Sequence, residues 1–194
     1  MAVTRDGLAA IYDGTDDPWG FRSSDYERAK FAATAAALPR PAYRSGLEVG
    51  CGNGELARRL APSCVAYAGI DAVPAAVEAA RRAVPLGTFV QGFLPCDLPD
   101  GDHDLIVLSE VLYFLDAWGI DALAAQIDAR WPAADLVCVT WRGPSGNPLE
   151  GEAALALFLA ALEAPRRPAA GRLRDDYRID VLVAGAAPAR MAAE

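Results

Sequence analysis

Leu47-Glu48-Val49-Gly50-Cys51-Gly52-Asn53-Gly54, followed at once by Glu55-Leu56-Ala57-Arg58-Arg59-Leu60, is the stretch whose reading decides the fold. It reads as an apolar strand ending in an acid, a turn with glycine at alternate positions, and the start of a helix. Glycine at that density lets the backbone reverse with positive φ and lets a ligand lie against the main chain. A helix beginning there offers unpaired N–H groups and the positive end of its dipole. The spacing is not the G-x-G-x-x-G of a dinucleotide site, and no Lys-Ser/Thr follows to complete a P-loop.

Outward toward the carboxyl end, residues 65–71 form a second apolar run that also ends in an acid, Asp71. Asp71 stands 17 residues past Gly54, close to where a Rossmann-type fold places the carboxylate that accepts ribose hydroxyls. The alternative is a helix N-cap, because Val73-Pro74 opens a helical run ending near Val84. The glycine turn favours the ribose reading, with Ala72 and Val73 beside the sugar. Thr88-Phe89-Val90-Gln91 is a short third strand, followed by Gly92-Phe93-Leu94. Residues 104–110 are apolar through their middle, as a parallel strand covered on both faces should be. Ser109 and Glu110 emerge at its carboxyl end, where open α/β sheets bind ligands, and Tyr113 follows. His103, just before this strand, reads as a core filler rather than a base.

A helix over about 118–131 stops at Pro132, and residues 136–141 make a fifth strand that delivers Trp141 and Arg142 to the same edge. The breaker-rich loop 143–148 is no nucleophile elbow, since G-x-S-x-G is not satisfied. A helix over 149–163 ends at Pro165, and residues 177–183 alternate as a half-exposed strand with 171–174 as a short partner. Strand and helix alternating in this way imply an α/β fold. The expected sheet is mostly parallel, with helices on both faces and a C-terminal antiparallel strand or hairpin.

Toward the amino end, Ser24-Asp25-Tyr26-Glu27 fits a capping box opening a helix that runs to about Leu38. Residues 1–40 are then either a lid over the ligand site or a helix packed on the sheet edge. The length suits one domain over 1–194, with the core in 45–185. A net charge of −8 argues against sequence-independent nucleic-acid binding. Four cysteines at 51, 64, 96 and 138 form no C-x-x-C pair, and with one histidine no usual zinc site is expected. No leader pattern and no bilayer-length apolar run is present, so the expectation is a cytoplasmic chain with no membrane partner. Nothing in the sequence marks an oligomeric state.

Glu48-x-Gly50-x-Gly52-x-Gly54 resembles motif I, E/D-x-G-x-G-x-G, of class I S-adenosylmethionine (SAM)-dependent methyltransferases. That resemblance implies a Rossmann-like class I methyltransferase fold in which Gly50, Cys51, Gly52, Asn53 and Gly54 hold the methionine part of SAM, with Glu48 close to it. The family often carries an Asp just past the third strand to contact the adenine amine. Here Gly92, Phe93 and Leu94 leave backbone or apolar contacts instead.

A narrower resemblance rests on Asp17-Pro18-Trp19, Tyr26-Glu27, Lys30, the 105–115 run LIVLSEVLYFL and Tyr177-Arg178-Ile179-Asp180-Val181-Leu182. These look like the nodulation-protein-S (NodS) type of methyltransferase. The resemblance implies methyl transfer to a small-molecule acceptor that is an amine, amino sugars among them, with S-adenosylhomocysteine (SAH) as product. Trp19, Tyr26 and Lys30 would close the cofactor site from the lid, with Ser109 and Glu110 also in contact. Glu110 would accept a proton from a bound ammonium or hold the amine, and Tyr113 would orient it. A backbone cap or a contact to SAM itself is the other reading of Glu110. Trp141 and Arg142 would line the acceptor pocket. Two further readings stand beside this one: a SAM- or SAH-binding module without turnover that serves a partner, and a dinucleotide oxidoreductase. The glycine spacing counts against the second of these.

Overall fold

Strand Tyr43–Val49 (β1) lies in the middle of the sheet because its apolar residues are covered from both sides. The computed structural model describes residues 3–169 and 171–185. Ahead of β1 stand helices Arg5–Ile11 (α1) and Asp25–Ala36 (α2). After it come the single turn Ala57–Leu60 (α3), strand Cys64–Asp71 (β2), helix Pro74–Ala83 (α4) and strand Thr88–Gln91 (β3). The second half holds Leu105–Ser109 (β4), Ala117–Arg130 (α5), Asp135–Trp141 (β5) and Gly151–Ala161 (α6). It closes with strands Arg166–Pro168 (β6), Arg172–Leu173 (β7) and Tyr177–Ala184 (β8).

The strands form one eight-stranded sheet in the order β3-β2-β1-β4-β5-β8-β6, with β7 also paired to β8. β1 pairs in parallel with β2 on one side and β4 on the other. Strand order therefore reverses between β1 and β4, which opens a crevice at their carboxyl ends. β8 runs antiparallel to β5, β6 and β7. The hairpin expected at the carboxyl end is present, and β6 extends it beyond the short partner that the sequence suggested.

Alternation along β4 shows why its run is apolar throughout. Ile106 and Leu108 join Leu123 and Ile127 of α5 and Leu155 and Phe158 of α6 on one face. Leu105 and Val107 join Phe31 of α2, Leu60 of α3 and Val77 of α4 on the other. Burial of about 1.5–3 kcal/mol per large side chain makes both faces necessary to the fold. Among the described residues no helix is long and apolar enough to cross a membrane.

Two local expectations differ from the structure. The helix after the glycine turn does not start at Glu55; α3 is a single turn that passes into a 3₁₀ turn over Ala61–Ser63. Pro62 has no N–H and cannot continue an α-helical ladder, and one turn carries little dipole, so the glycine turn works through its own backbone. Helix α1 was not legible. Thr4 caps it by accepting from Gly7 N–H at 3.1 Å, but none of its residues is buried and so it has no apolar stripe.

Gly54 has φ +82°, and a Cβ there would lie 2.7 Å from Ala80 Cα of α4. Gly14 has φ +74° with nothing within 4 Å of its would-be Cβ. Gly54→Ala should lower unfolding stability by about 2–4 kcal/mol, strain and overpacking together. Gly14→Ala, with strain alone, should lose about 1 kcal/mol. Equal urea midpoints for the two variants would contradict the packing account.

Candidate functional site

The crevice between β1 and β4 widens into a cavity of about 450 Å³. Its floor is the glycine turn: Gly50, Cys51, Gly52 and Asn53 all line it. Gly50 (φ +79°) and Gly52 (φ +50°) hold conformations that a side chain disfavours. A Cβ on Gly50 would also lie 2.8 Å from Val111 Cβ, so the turn and the segment after β4 can approach only through glycine. Gly54 is not part of the cavity wall. It faces α4, where a Cβ would lie 2.7 Å from Ala80 Cα.

Asp71 and Glu48 are the two acids at the floor, and the protein uses them differently. Asp71 Oδ2 accepts from Gly52 N–H at 2.9 Å, and Oδ1 accepts from Val73 N–H at 3.0 Å. The N-cap of α4 is Val73, without a side-chain cap, so Asp71 does not fill that role. Burial pushes the Asp71 carboxyl upward, and the backbone N–H groups of Val73 and Gly52 pull against it. Asp71, Ala72 and Val73 together form the wall beside the floor. Glu48 is 1% exposed, and Tyr67 Oη donates to its Oε2 at 2.9 Å. Burial drives its carboxyl up to about 8; the Tyr67 hydrogen bond opposes that rise and the nearby Asp71 charge adds to it. Gly92, Phe93 and Leu94 line the far end of the same wall, with the Arg5 guanidinium 5.1 Å from the Phe93 ring.

Residues from the leading segment line the cavity rather than merely packing on the sheet edge, and Trp19, Tyr26 and Lys30 are all among them. The segment is anchored by Asp17, whose Oδ1 accepts from Asn53 Nδ2 at 2.9 Å and from Phe21 N–H at 2.8 Å. That bond seats Phe21 over Gly52, with Trp19 stacked on Phe21 at 5.6 Å. The sequence reading passed over Asp17 as a site residue although it belongs to the D-P-W motif. The signal was an acid placed to meet the one amide side chain of the glycine turn.

Lys30 is 2% exposed and its ammonium is occupied. Nζ donates to Glu27 Oε1 at 3.0 Å and to Glu110 Oε2 at 2.8 Å. The capping box at Ser24 is therefore only half formed: Ser24 Oγ accepts from Glu27 N–H, while the Glu27 carboxylate turns to Lys30. Glu110 follows β4 with φ +50°, and its N–H donates to Val139 O at 2.8 Å. Ser109, Glu110, Tyr113 and Trp141 line this end, and Tyr26 stands edge-on to both Trp141 and Tyr177.

Arg142 does not join them. It donates to the carbonyls of Arg174 and Asp175 and pairs with Glu152, so it braces the turn before β8 and does not line the cavity. His103 is buried with Nδ1 2.8 Å from Ser45 Oγ and its ring 5.0 Å from Trp131. Burial lowers its pKa, in keeping with a neutral core filler. Among the described residues no group of His, Cys, Asp and Glu is arranged to hold a metal ion.

A mostly parallel sheet that reverses order beside a glycine turn, with Glu48 next to last in β1, Asp71 last in β2 and β8 antiparallel beside β5, is the architecture of the class I SAM-dependent methyltransferases. The chain matches the family Nodulation protein S (NodS) over residues 6–128, and it belongs to that family of methyltransferases. Nodulation protein S of Bradyrhizobium diazoefficiens is 29% identical over 162 residues, spanning 76% of this chain and 75% of that protein. The Rhizobium tropici protein of the same name is 35% identical over 108 residues, 52% of this chain and 44% of its own length. Among solved structures, a candidate methyltransferase from Pseudomonas syringae has 36% identity and a TM-score of 0.70, covering 81% of this chain and 98% of that one. The N-methyltransferase NodS from Bradyrhizobium japonicum WM9, in complex with SAH, shares the fold at a TM-score of 0.76 and 20% identity, over 94% of this chain and 99% of that one.

The Glu48 carboxyl predicts a pH signature. From the ordinary glutamate range up to about 8, the folded protein holds a proton that the unfolded chain has released. Wild-type stability therefore falls as pH rises through that window. Glu48→Gln, which keeps an oxygen for Tyr67 and cannot ionise, should gain about 1 kcal/mol or more on wild type between pH 6 and pH 9. Parallel loss of stability in both proteins, followed by urea denaturation, would contradict a buried carboxyl that ionises against burial.

Proposed function

We propose that the chain transfers the methyl group of SAM to the nitrogen of a small amine, amino sugars included, inside the cavity between the glycine turn and α2. The observation that carries this reading is one enclosure with two chemically different ends. At one end Asp71, Glu48 and the backbone of the glycine turn suit a ribose and an α-amino acid. At the other stand a carboxylate, Glu110, and aromatic walls from Tyr26, Tyr113 and Trp141. The structural neighbour from B. japonicum is an N-methyltransferase, which supports the choice of nitrogen.

The chemistry asks little of the protein beyond alignment. The sulfonium already activates the methyl group, so the enclosure has to set sulfur, carbon and nitrogen in line and keep water out. The C–S bond breaks as the C–N bond forms, and the positive charge passes from sulfur to nitrogen, leaving SAH uncharged at sulfur and the product as an N-methylammonium. The nitrogen attacks with its lone pair, so an acceptor arriving as an ammonium first gives up one proton. Glu110 is the carboxylate placed to take that proton or to hold the amine, and Tyr113 flanks it. Phe93 and Leu94 supply an apolar surface for the adenine. A cavity of this size suits a small acceptor.

Calorimetric titration with SAM and SAH should show saturable binding. Asp71→Ala removes both a ribose acceptor and the bond to Gly52 N–H, and should weaken binding about tenfold or more. Asp71→Asn keeps an oxygen for Gly52 and should fall between the two. With SAM bound, SAH should accumulate with small primary amines and not with the matched alcohols. Turnover of the alcohols alone would overturn the amine assignment. Absence of SAM and SAH binding by folded protein would overturn the reading as a whole.

A further inference from the structure

We infer that Glu110 is the receptor for a positively charged onium centre at the point of methyl transfer, and that Lys30 is the residue that positions it. The inference rests on the proposed function and names what that site is built to recognise. Lys30 was expected to reach the cofactor. Its ammonium instead lies 2.8 Å from Glu110 Oε2 and 2.9–3.0 Å from the two Glu27 oxygens, with the Tyr26 ring 5.3 Å away. Those partners occupy its donors. Lys30 therefore acts on a ligand through Glu110.

The charges in this cluster do not balance. Two carboxylates share one ammonium; burial raises the Glu27 carboxyl and Lys30 pulls it back, and with both ionised one negative charge is left in a largely water-excluded place. An uncompensated buried charge is strongly destabilising unless something brings the opposite sign. Glu27 Oε2 and Glu110 Oε1 are both buried without a hydrogen-bond partner among the described residues, but Glu27 Oε2 lies 2.9 Å from Lys30 Nζ, so Glu110 Oε1 is where that sign is missing. Oε2 is fixed by Lys30, so one oxygen remains for a ligand. A single cation restores neutrality.

The backbone points the same way. Glu110 holds φ +50°, a conformation that glycine or asparagine takes more readily, while its N–H is tied to Val139 O. A glutamate there bears that strain and presents a carboxylate at the end of β4. Its field is felt by both flanking phenols. Burial chiefly, and Glu110 next, push the Tyr26 and Tyr113 hydroxyls upward, so both stay protonated and neutral beside it. The wall is thus one carboxylate among aromatic rings and neutral hydroxyls, a setting that favours an onium ion over a neutral or anionic group.

Two sources supply that chemistry, the sulfonium of SAM and the ammonium of the acceptor, and three ligands separate them. SAM carries the sulfonium, and SAH is its neutral counterpart. Sinefungin bears a primary amine on carbon in place of the sulfonium methyl, so it projects an ammonium to the transfer point. Wild-type protein should bind at least one of the two cations about tenfold or more tightly than SAH, as a charge-assisted hydrogen bond allows. Glu110→Gln should lose that preference, read as the ratio of each cation's affinity to the SAH affinity of the same variant. Loss in the SAM-to-SAH ratio assigns the sulfonium; loss in the sinefungin-to-SAH ratio assigns an ammonium beyond it.

Glu110→Asp keeps the charge but draws it back, and should retain part of the preference if Glu110→Gln fails to fold. Lys30→Met should lower the preference while SAH still binds, and Lys30→Arg should restore it, which a merely structural lysine would not do. Unchanged ratios in a folded Glu110→Gln, or a wild type indifferent to both cations, would overturn the inference while leaving the cofactor site standing. Failure of wild type to bind SAH would instead overturn the proposed function, and the inference with it.

Discussion

The bond from Gly52 N–H to the Asp71 carboxylate ties the end of β1 to the end of β2, and the rest of the site is assembled on it. A turn carrying positive φ at Gly50, Gly52 and Gly54 has no regular ladder of its own. It needs outside partners for its backbone and finds them in Asp71 and in the carbonyl of Ile70, which accepts from Gly50 and Cys51. Once the turn is held, Asn53 presents its amide to Asp17, and the leading segment closes over the floor. A turn that only glycine can make is thus built into a shaped cavity by contacts far along the chain.

The two acids illustrate how burial assigns roles to like residues. Asp71 is buried but accepts two backbone N–H bonds, which favour its ionised form. Glu48 has one phenol for a partner and sits close to the Asp71 charge, so it holds its proton far longer. A ligand carrying an α-ammonium would bring the charge that Glu48 lacks. The same reasoning applies across the cavity, where Lys30 satisfies Glu27 and half of Glu110. Glu48 meets the lack of a cation by keeping its proton, whereas the Glu110 end of the enclosure is left short of one.

Much of this was legible along the chain, and the reason is locality. The run from β1 through the glycine turn to Asp71 carries its own signals: an apolar strand, breakers at fixed offsets and an acid at a set distance. The doubly covered β4 and the alternating β8 were readable for the same reason. What escaped depends on pairs remote in sequence. Lys30 and Glu110 are 80 positions apart, and no spacing rule predicts that the lysine would be consumed by carboxylates. Arg142 looked like a wall residue because it ends β5, yet the carbonyls of Arg174 and Asp175 claim it. The packing of Gly54 against Ala80 of α4 is likewise a contact between remote residues that no local pattern announces. Helix α1 has no fully buried residue, with Leu8 alone packed against a core cluster, and so left no periodic trace.

A crystal structure of the protein with SAH bound tests the central claim most directly. The account predicts the ribose hydroxyls on the Asp71 carboxylate and the amino acid end against residues 50–52 beside Glu48. It predicts the sulfur facing the end of the cavity where Glu110 and Tyr113 stand. SAH bound elsewhere, or held in the cavity with its ribose away from Asp71, would contradict the account.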